Sequence, residues 1–172
     1  MTRLFVAVRP PPEVVVVLSA LDRPAVPGVR WSVPEQWLVK LRPLGHVDGR
    51  VVPALRDALE AELDGAPAVA CRLGPATRSL AGQWLGAPVH GLDELAAVVF
   101  EATQELVPVT HPQPFQADVV LARGRVPREL AGRAVAGAWT ARSVALLADR
   151  SSPGTVRFEE LAGFPLADRG PA

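Results

Sequence analysis

The sequence predicts an α+β fold with helices on the outside of its sheets, and three observations carry that reading. Short β-favouring runs closed by proline or glycine alternate with segments of helical period. The chain falls into two similar halves, each holding an extended strand near a helix. Its 172 residues, 49% of them hydrophobic, can bury a sizeable core, so residues 1–172 read as one domain.

Phe5, Val6, Ala7 and Val8 form the first strand, ended by Pro10, Pro11 and Pro12. A helix over residues 13–21 follows, since proline suits a helix start, although four consecutive valines weaken its propensity. After a loop at 24–28, residues 37–42 form a strand that Pro43 and Gly45 should stop. Strand alternation puts Leu38 and Lys40 on one face and Val39 and Leu41 on the other.

Val52, Leu55, Leu59 and Leu63 give a helix over 51–63, with Gly65 as its stop. Strands are expected at 69–73 and 83–85. A second strong helix spans 92–106, its stripe made by Leu92, Leu95, Val98, Val99, Ala102 and Leu106, with Asp93 and Glu94 in the first turn. A proline-rich loop leads to a strand over 115–123, where Asp118 and Val120 share one face and Val119 and Leu121 the other. Strands at 143–150 and 156–164, separated by Ser151-Ser152-Pro153-Gly154, predict a terminal hairpin.

Composition excludes several function classes. Eighteen Lys+Arg balance eighteen Asp+Glu, so no global basic field drives nucleic-acid binding, and any such contact must be local. The one cysteine, Cys71, forms no internal disulfide and no Cys-based zinc site; it reads as a buried strand residue, and the setting as cytoplasmic. The longest clean apolar run, Val14-Val15-Val16-Val17-Leu18, is far too short for a membrane span. No Gly-x-Gly-x-x-Gly, P-loop, Gly-x-Ser-x-Gly or His-Glu-x-x-His motif occurs, so no cofactor and no metal are expected. Seventeen of the eighteen basic residues are arginine, which makes Lys40 the sole lysine.

Residues 37–42 and 117–123 echo each other weakly. Arg3-Leu4-Phe5-Val6-Ala7-Val8, then Trp31, Pro34-Glu35-Gln36-Trp37 and Leu41-Arg42-Pro43-Leu44-Gly45, resemble the start of the bacterial RNA 2′,3′-cyclic phosphodiesterases, or 2′-5′ RNA ligases, of the 2H phosphoesterase superfamily. Gly91-Leu92-Asp93-Glu94-Leu95, the strand from Phe115 to Arg123 and the ending Phe158-Glu159-Glu160-Leu161-Ala162-Gly163-Phe164-Pro165-Leu166 follow in the same order. The resemblance implies a two-lobed fold whose antiparallel sheets form a central cleft. It also implies two His-x-Thr/Ser motifs facing each other there, one histidine acting as general base and one as general acid on a cyclic phosphate.

The first motif falls on Leu38-Val39-Lys40 and the second on Asp118-Val119-Val120, so both histidines and both hydroxyls are replaced. The histidines present, His46, His90 and His111, lie outside the motifs and read as loop or turn residues. Leucine can neither activate water nor protonate a leaving oxygen. The reading therefore leans away from an enzyme and toward a degenerate homologue that binds a phosphorylated ligand, an RNA end or a nucleotide, through Lys40, Arg42, Asp118 and Arg123. Two alternatives stay open: a phosphodiesterase using Asp118 and Lys40 in place of the histidines, and a structural partner protein with a filled cleft. A Lys40–Asp118 pair across the cleft is one expectation; solvated rim charges are its equal. Arg123 is expected beside the cleft or at a solvent-facing strand end. Trp31, Trp37 and Phe115 could stack bases, with core packing the stronger expectation for at least two of them.

Overall fold

The computed structural model describes residues 1–168. The chain runs β1 (Thr2–Val8), α1 (Pro12–Ser19), β2 (Val29–Trp31), β3 (Val39–Val47), α2 (Val52–Leu63), β4 (Val69–Leu73), β5 (Arg78–Leu80), β6 (Trp84–His90), α3 (Asp93–Thr103), β7 (Asp118–Gly124), β8 (Gly137–Ala141), β9 (Ser143–Asp149) and β10 (Phe158–Pro165). One sheet has four strands in the order β10-β9-β1-β3. The other has the path β2-β7-β6-β4-β8, with β5 paired to β6. Every strand pair in both sheets is antiparallel.

The apolar run Leu4 to Val8 is buried throughout because β1 lies inside its sheet and both of its faces are covered. Leu4, Val6 and Val8 join the main core, where they meet Leu55, Leu59 and Leu63 of α2 and Leu95, Ala96 and Val99 of α3. Phe5 and Ala7 point the other way. With Leu38, Ala145 and Leu147 they form a second, smaller apolar cluster, against which Phe158 packs edge-on to Phe5 at 5.1 Å between ring centroids.

The helices and the terminal hairpin agree closely with the sequence reading, but β3 does not stop at Pro43: it runs on through Pro43 and Gly45 to Val47. An edge strand tolerates proline because its outward-facing amide has no ladder partner to lose, and β3 is the edge of its sheet. The predicted strand at 83–85 is the start of the longer β6, and the predicted 115–123 strand begins only at Asp118. β2, β5 and β8 lie outside the sequence expectations. β2 and β5 are three residues long, too short for alternation to show in sequence, whereas the five-residue β8 buries Trp139 and Ala141 in alternation.

Two β-bulges set which way the side chains of the motif strands point. Between β1 and β3, Ala7 pairs with Lys40 and Val6 with Arg42, which leaves Leu41 as an extra residue. Between β6 and β7, Gly86 pairs with Val120 and Leu85 with Ala122, which leaves Leu121 extra. A bulge advances the side-chain alternation by one, so residues beyond it change face.

Candidate functional site

The motif residues lie on facing sides of the two sheets. In the first sheet Leu38 is buried in the small apolar cluster, and Lys40, two residues on, extends over the Phe5 ring, its Nζ 4.7 Å from the centroid. In the second, Val119 and Leu121 enter the main core and leave Asp118 and Val120 on the other face. Lys40 and Arg123 come from different sheets, yet Arg123 helps to depress the Lys40 pKa, so the faces are close enough to share a field.

The expected Lys40–Asp118 pair does not form. Asp118 is held instead by Arg78 of β5, which donates from Nε to Oδ1 at 3.0 Å and from Nη2 to Oδ2 at 2.8 Å. The carboxylate side chain is only 5% exposed. Gly86 makes room for it: a Cβ there would come within 3.2 Å of Asp118 Oδ1 and 2.5 Å of Leu80 Cδ1. Arg78 was invisible to the sequence reading because it belongs to a three-residue strand that the second motif meets only through the β5-β6 pairing.

Arg42 is also placed differently from the expectation. Leu41 is the bulge residue, so Arg42 follows it to the core side of the sheet instead of sharing the face of Lys40. Its guanidinium is buried against α3, donating to Thr103 Oγ1 and to the Val107 carbonyl and lying over Phe100. It binds the helix end, where a cation meets unsatisfied carbonyls, and not the cleft.

Arg123 lies on the motif face, and for the same geometrical reason. Leu121 is the bulge in β7 and Ala122 follows it into the core, so Arg123 returns to that face. It pairs across from Arg30 of β2, and its guanidinium lies 5.2 Å from the ring centroid of Trp84. Its Nε is buried and has no hydrogen-bond partner among the described residues.

Strand alternation in β1 and β9 adds Arg3 and Asp149 to the same region, beyond Phe5 and Leu147. Burial lowers the Lys40 pKa below its ordinary 10.5, and Arg123 and Arg3 lower it further against the opposing pull of Asp149. Burial likewise lowers the pKa of Arg123, helped by Arg30 and Arg3 and opposed by Asp149. For Asp149 burial acts upward, but hydrogen bonds from Ser151 and the fields of Arg3 and Lys40 bring its pKa below the carboxylate norm. The face is therefore a cluster of like charges, Arg3, Arg30, Lys40 and Arg123, with Asp149 as the carboxylate that shifts them.

The other sequence candidates fall elsewhere. Trp37 is 3% exposed in the core, Trp31 donates its Nε1 to the Pro24 carbonyl, and Phe115 packs against the main cluster. Trp84, which the sequence reading did not single out, is the tryptophan beside the basic cluster. His46 sits exposed across from Arg3, His90 approaches the Gly74 carbonyl and His111 touches Thr110. Cys71 is buried, which raises its thiol pKa and suits a structural residue. Among the described residues no His, Cys, Asp and Glu cluster could hold a metal, and no helix is long and apolar enough to cross a membrane. Two small hollows lie on the core side of β7, both lined by Leu21, Trp31 and Leu121.

No family model and no curated protein sequence matches this chain. Solved structures do. The chain is similar to TT0787 of Thermus thermophilus, with 23% identity over 95% of this chain and 97% of that one at a TM-score of 0.80. It is similar to E. coli LigT crystallised with 3′-AMP, with 20% identity, 96% and 98% coverage and a TM-score of 0.81. A structure described as a phosphoesterase shares 22% identity over 96% of this chain and 99% of its own, with a TM-score of 0.78. The α+β architecture of two antiparallel sheets with helices outside, expected from the sequence, is thus the fold of LigT, of TT0787 and of the structure described as a phosphoesterase.

Proposed function

We propose that this chain is a 2H phosphoesterase-like protein, of the 2′-5′ RNA ligase kind, that has lost the two-histidine chemistry and binds a phosphorylated ligand on its basic face. Lys40 and Arg123 hold the phosphate, with Arg3 and Arg30 adding to the field, and Arg42 takes no part. One observation carries the reading: half-buried cations from both sheets crowd one face against their mutual repulsion, and the Nε of one of them is buried with no acceptor among the described residues. Gathering like charges on one face is costly, and a bound anion offsets that repulsion. The structural neighbour LigT has been crystallised with 3′-AMP, ATP and phosphate, which supports a phosphorylated ligand for the shared fold.

Chemically the face binds better than it cleaves. Asp118 stands at a former histidine position, but both of its oxygens are engaged by Arg78. Leu38 stands at the other, buried in the apolar floor. Titration calorimetry with 3′-AMP is expected to give binding that Arg123→Ala weakens at least about tenfold, the loss of one charge-assisted contact. Unchanged affinity in both Arg123→Ala and Lys40→Ala overturns the reading. Incubation with a short RNA ending in a 2′,3′-cyclic phosphate is expected to give no hydrolysis. Turnover that disappears in Lys40→Ala and Asp118→Ala would establish the other reading, a phosphodiesterase in which a partly desolvated Lys40 supplies the proton.

A further inference from the structure

The basic face gathers three guanidiniums, Arg3, Arg30 and Arg123, and one amine, Lys40, in a chain whose other basic residues are all arginine. A guanidinium stays protonated and can only bind an anion, whereas an amine can also give up its proton and react. Lys40 is placed for that second role. It pairs in register with Ala7, and its Nζ lies 4.7 Å from the centroid of the Phe5 ring, in the apolar floor that Phe5, Ala7, Leu38, Ala145 and Leu147 form. Its side chain is half-buried, so the amine is partly desolvated and still reachable. No salt bridge among the described residues includes it. The charges that act on it come from Arg123 of β7, Arg3 of β1 and Asp149 of β9. Burial and the two arginines hold its pKa below 10.5, so at neutral pH it is free amine more often than a solvated lysine is.

Resting on the phosphate-binding reading above, we propose that Lys40 is a nucleophile for an aldehyde that carries a phosphate: the arginines hold the phosphate, and the Lys40 amine condenses with the carbonyl to an imine. The Nζ lone pair attacks the carbonyl carbon, and the C–N bond forms as the carbonyl π pair moves to oxygen. That oxygen takes one proton from the nitrogen and one from solvent and leaves as water, giving a protonated imine. No oxidant or reductant is consumed, and hydrolysis reverses the step. The product keeps the positive charge of the lysine, so it retains the attraction for the Phe5 ring and for the phosphate. The phosphate supplies the selectivity, because an aldehyde anchored on the arginines meets the amine as a bound partner and an unphosphorylated one only by collision from solution.

The test uses pyridoxal 5′-phosphate and pyridoxal as probes, with sodium borohydride to reduce any imine to a stable secondary amine and peptide mapping to place it. The sole lysine makes the assignment unambiguous, and the α-amine is scored separately by the same map. Pyridoxal 5′-phosphate is expected to label the Lys40 peptide once per chain, and pyridoxal at equal concentration at least about tenfold less. Excess inorganic phosphate should protect Lys40. Arg123→Ala should lower labelling by pyridoxal 5′-phosphate at least about fivefold while leaving the pyridoxal rate within about threefold, since it removes the anchor and not the amine. Lys40→Arg should abolish the adduct and keep inorganic phosphate affinity, read by calorimetry, within about threefold, which separates the chemistry of the amine from its charge. Phosphate binding with no adduct on Lys40 overturns the nucleophile and leaves the phosphate site standing. Equal labelling of Lys40 by both aldehydes, unprotected by phosphate, overturns the phosphorylated aldehyde as its substrate class. Failure of the wild type both to bind phosphate and to form the adduct overturns both readings.

Discussion

β3 and β7 carry corresponding motif segments, and each is bulged one residue after its third motif position, at Leu41 and at Leu121. The consequences differ because different residues come next. In β3 the residue after the bulge is Arg42, which is driven to the core side and bonds the end of α3. In β7 it is Ala122, which fits the core without trace, and the arginine one step later, Arg123, returns to the motif face. One backbone irregularity thus separates a structural arginine from the one proposed to bind. Position relative to the bulge, and not distance in sequence from the motif, decides which is which.

The largest expected effect breaks this contrast at Arg42. Arg42→Ala removes a buried guanidinium, strips the Val107 carbonyl of its donor and leaves a cavity beside Phe100. Losses of that kind cost about 2–4 kcal/mol, read as a lowered urea midpoint, while 3′-AMP affinity should stay within about twofold. Arg42→Met, which refills the volume, should recover part of the stability. Arg123→Ala is the mirror experiment: binding falls at least about tenfold, and stability by no more than about 1 kcal/mol, the worth of a partly exposed cation-π contact. Equal stability losses in the two variants would mean that the bulges do not assign the arginines as described.

Alternation and helical spacing were enough to place Leu38, Lys40, Asp118 and Val120 on the right faces and to find all three helices, because those signals are local. The missing parts were non-local. No periodicity announces that Leu41 is a bulge, so Arg42 looked like a cleft residue; the bulge emerges only when β3 is set against β1. Arg78 lies in a strand too short to alternate visibly and reaches the site only through the pairing of β5 with β6, while Trp84 opens the seven-residue β6 and meets Arg123 only because β6 pairs with β7. Lys40 and Asp118 are correctly faced, yet face alone says nothing about which neighbour supplies the counter-charge.

Asp118 sharpens the comparison from the other lobe. Its counterpart by motif position, Leu38, is buried among hydrocarbon, while Asp118 is buried against one arginine. Asp118→Asn keeps the shape but removes the charge that Arg78 meets, and should cost about 1–2 kcal/mol, more than an exposed ion pair because the carboxylate is nearly solvent-free. Asp118→Leu should be worse than Asn, since it leaves Arg78 without an acceptor. A cost below about 0.3 kcal/mol for Asn would mean that the pair is solvated in effect and that Arg78 is available to ligands.

The smallest effect concerns pH and Lys40. Burial, with Arg123 and Arg3, holds its pKa below the 10.5 of a free lysine, so the fold disfavours the charged form. For a lysine depressed in this way, protonation opposes folding below the folded-state pKa, and that cost fades as pH rises from the folded pKa toward 10.5. Stability from Lys40 therefore increases with pH across that window, while phosphate binding, which needs the charge, declines across it. Lys40→Met should raise the melting temperature at neutral pH by a few degrees, on the order of 2–4 °C, and weaken 3′-AMP binding, separating the two roles in one variant. Lys40→Arg should bind at neutral pH yet lose the decline at high pH, because guanidinium stays protonated throughout. A binding profile for Lys40→Arg that still falls with the wild-type midpoint would assign the titration to another group and leave Lys40 as a packing residue over Phe5.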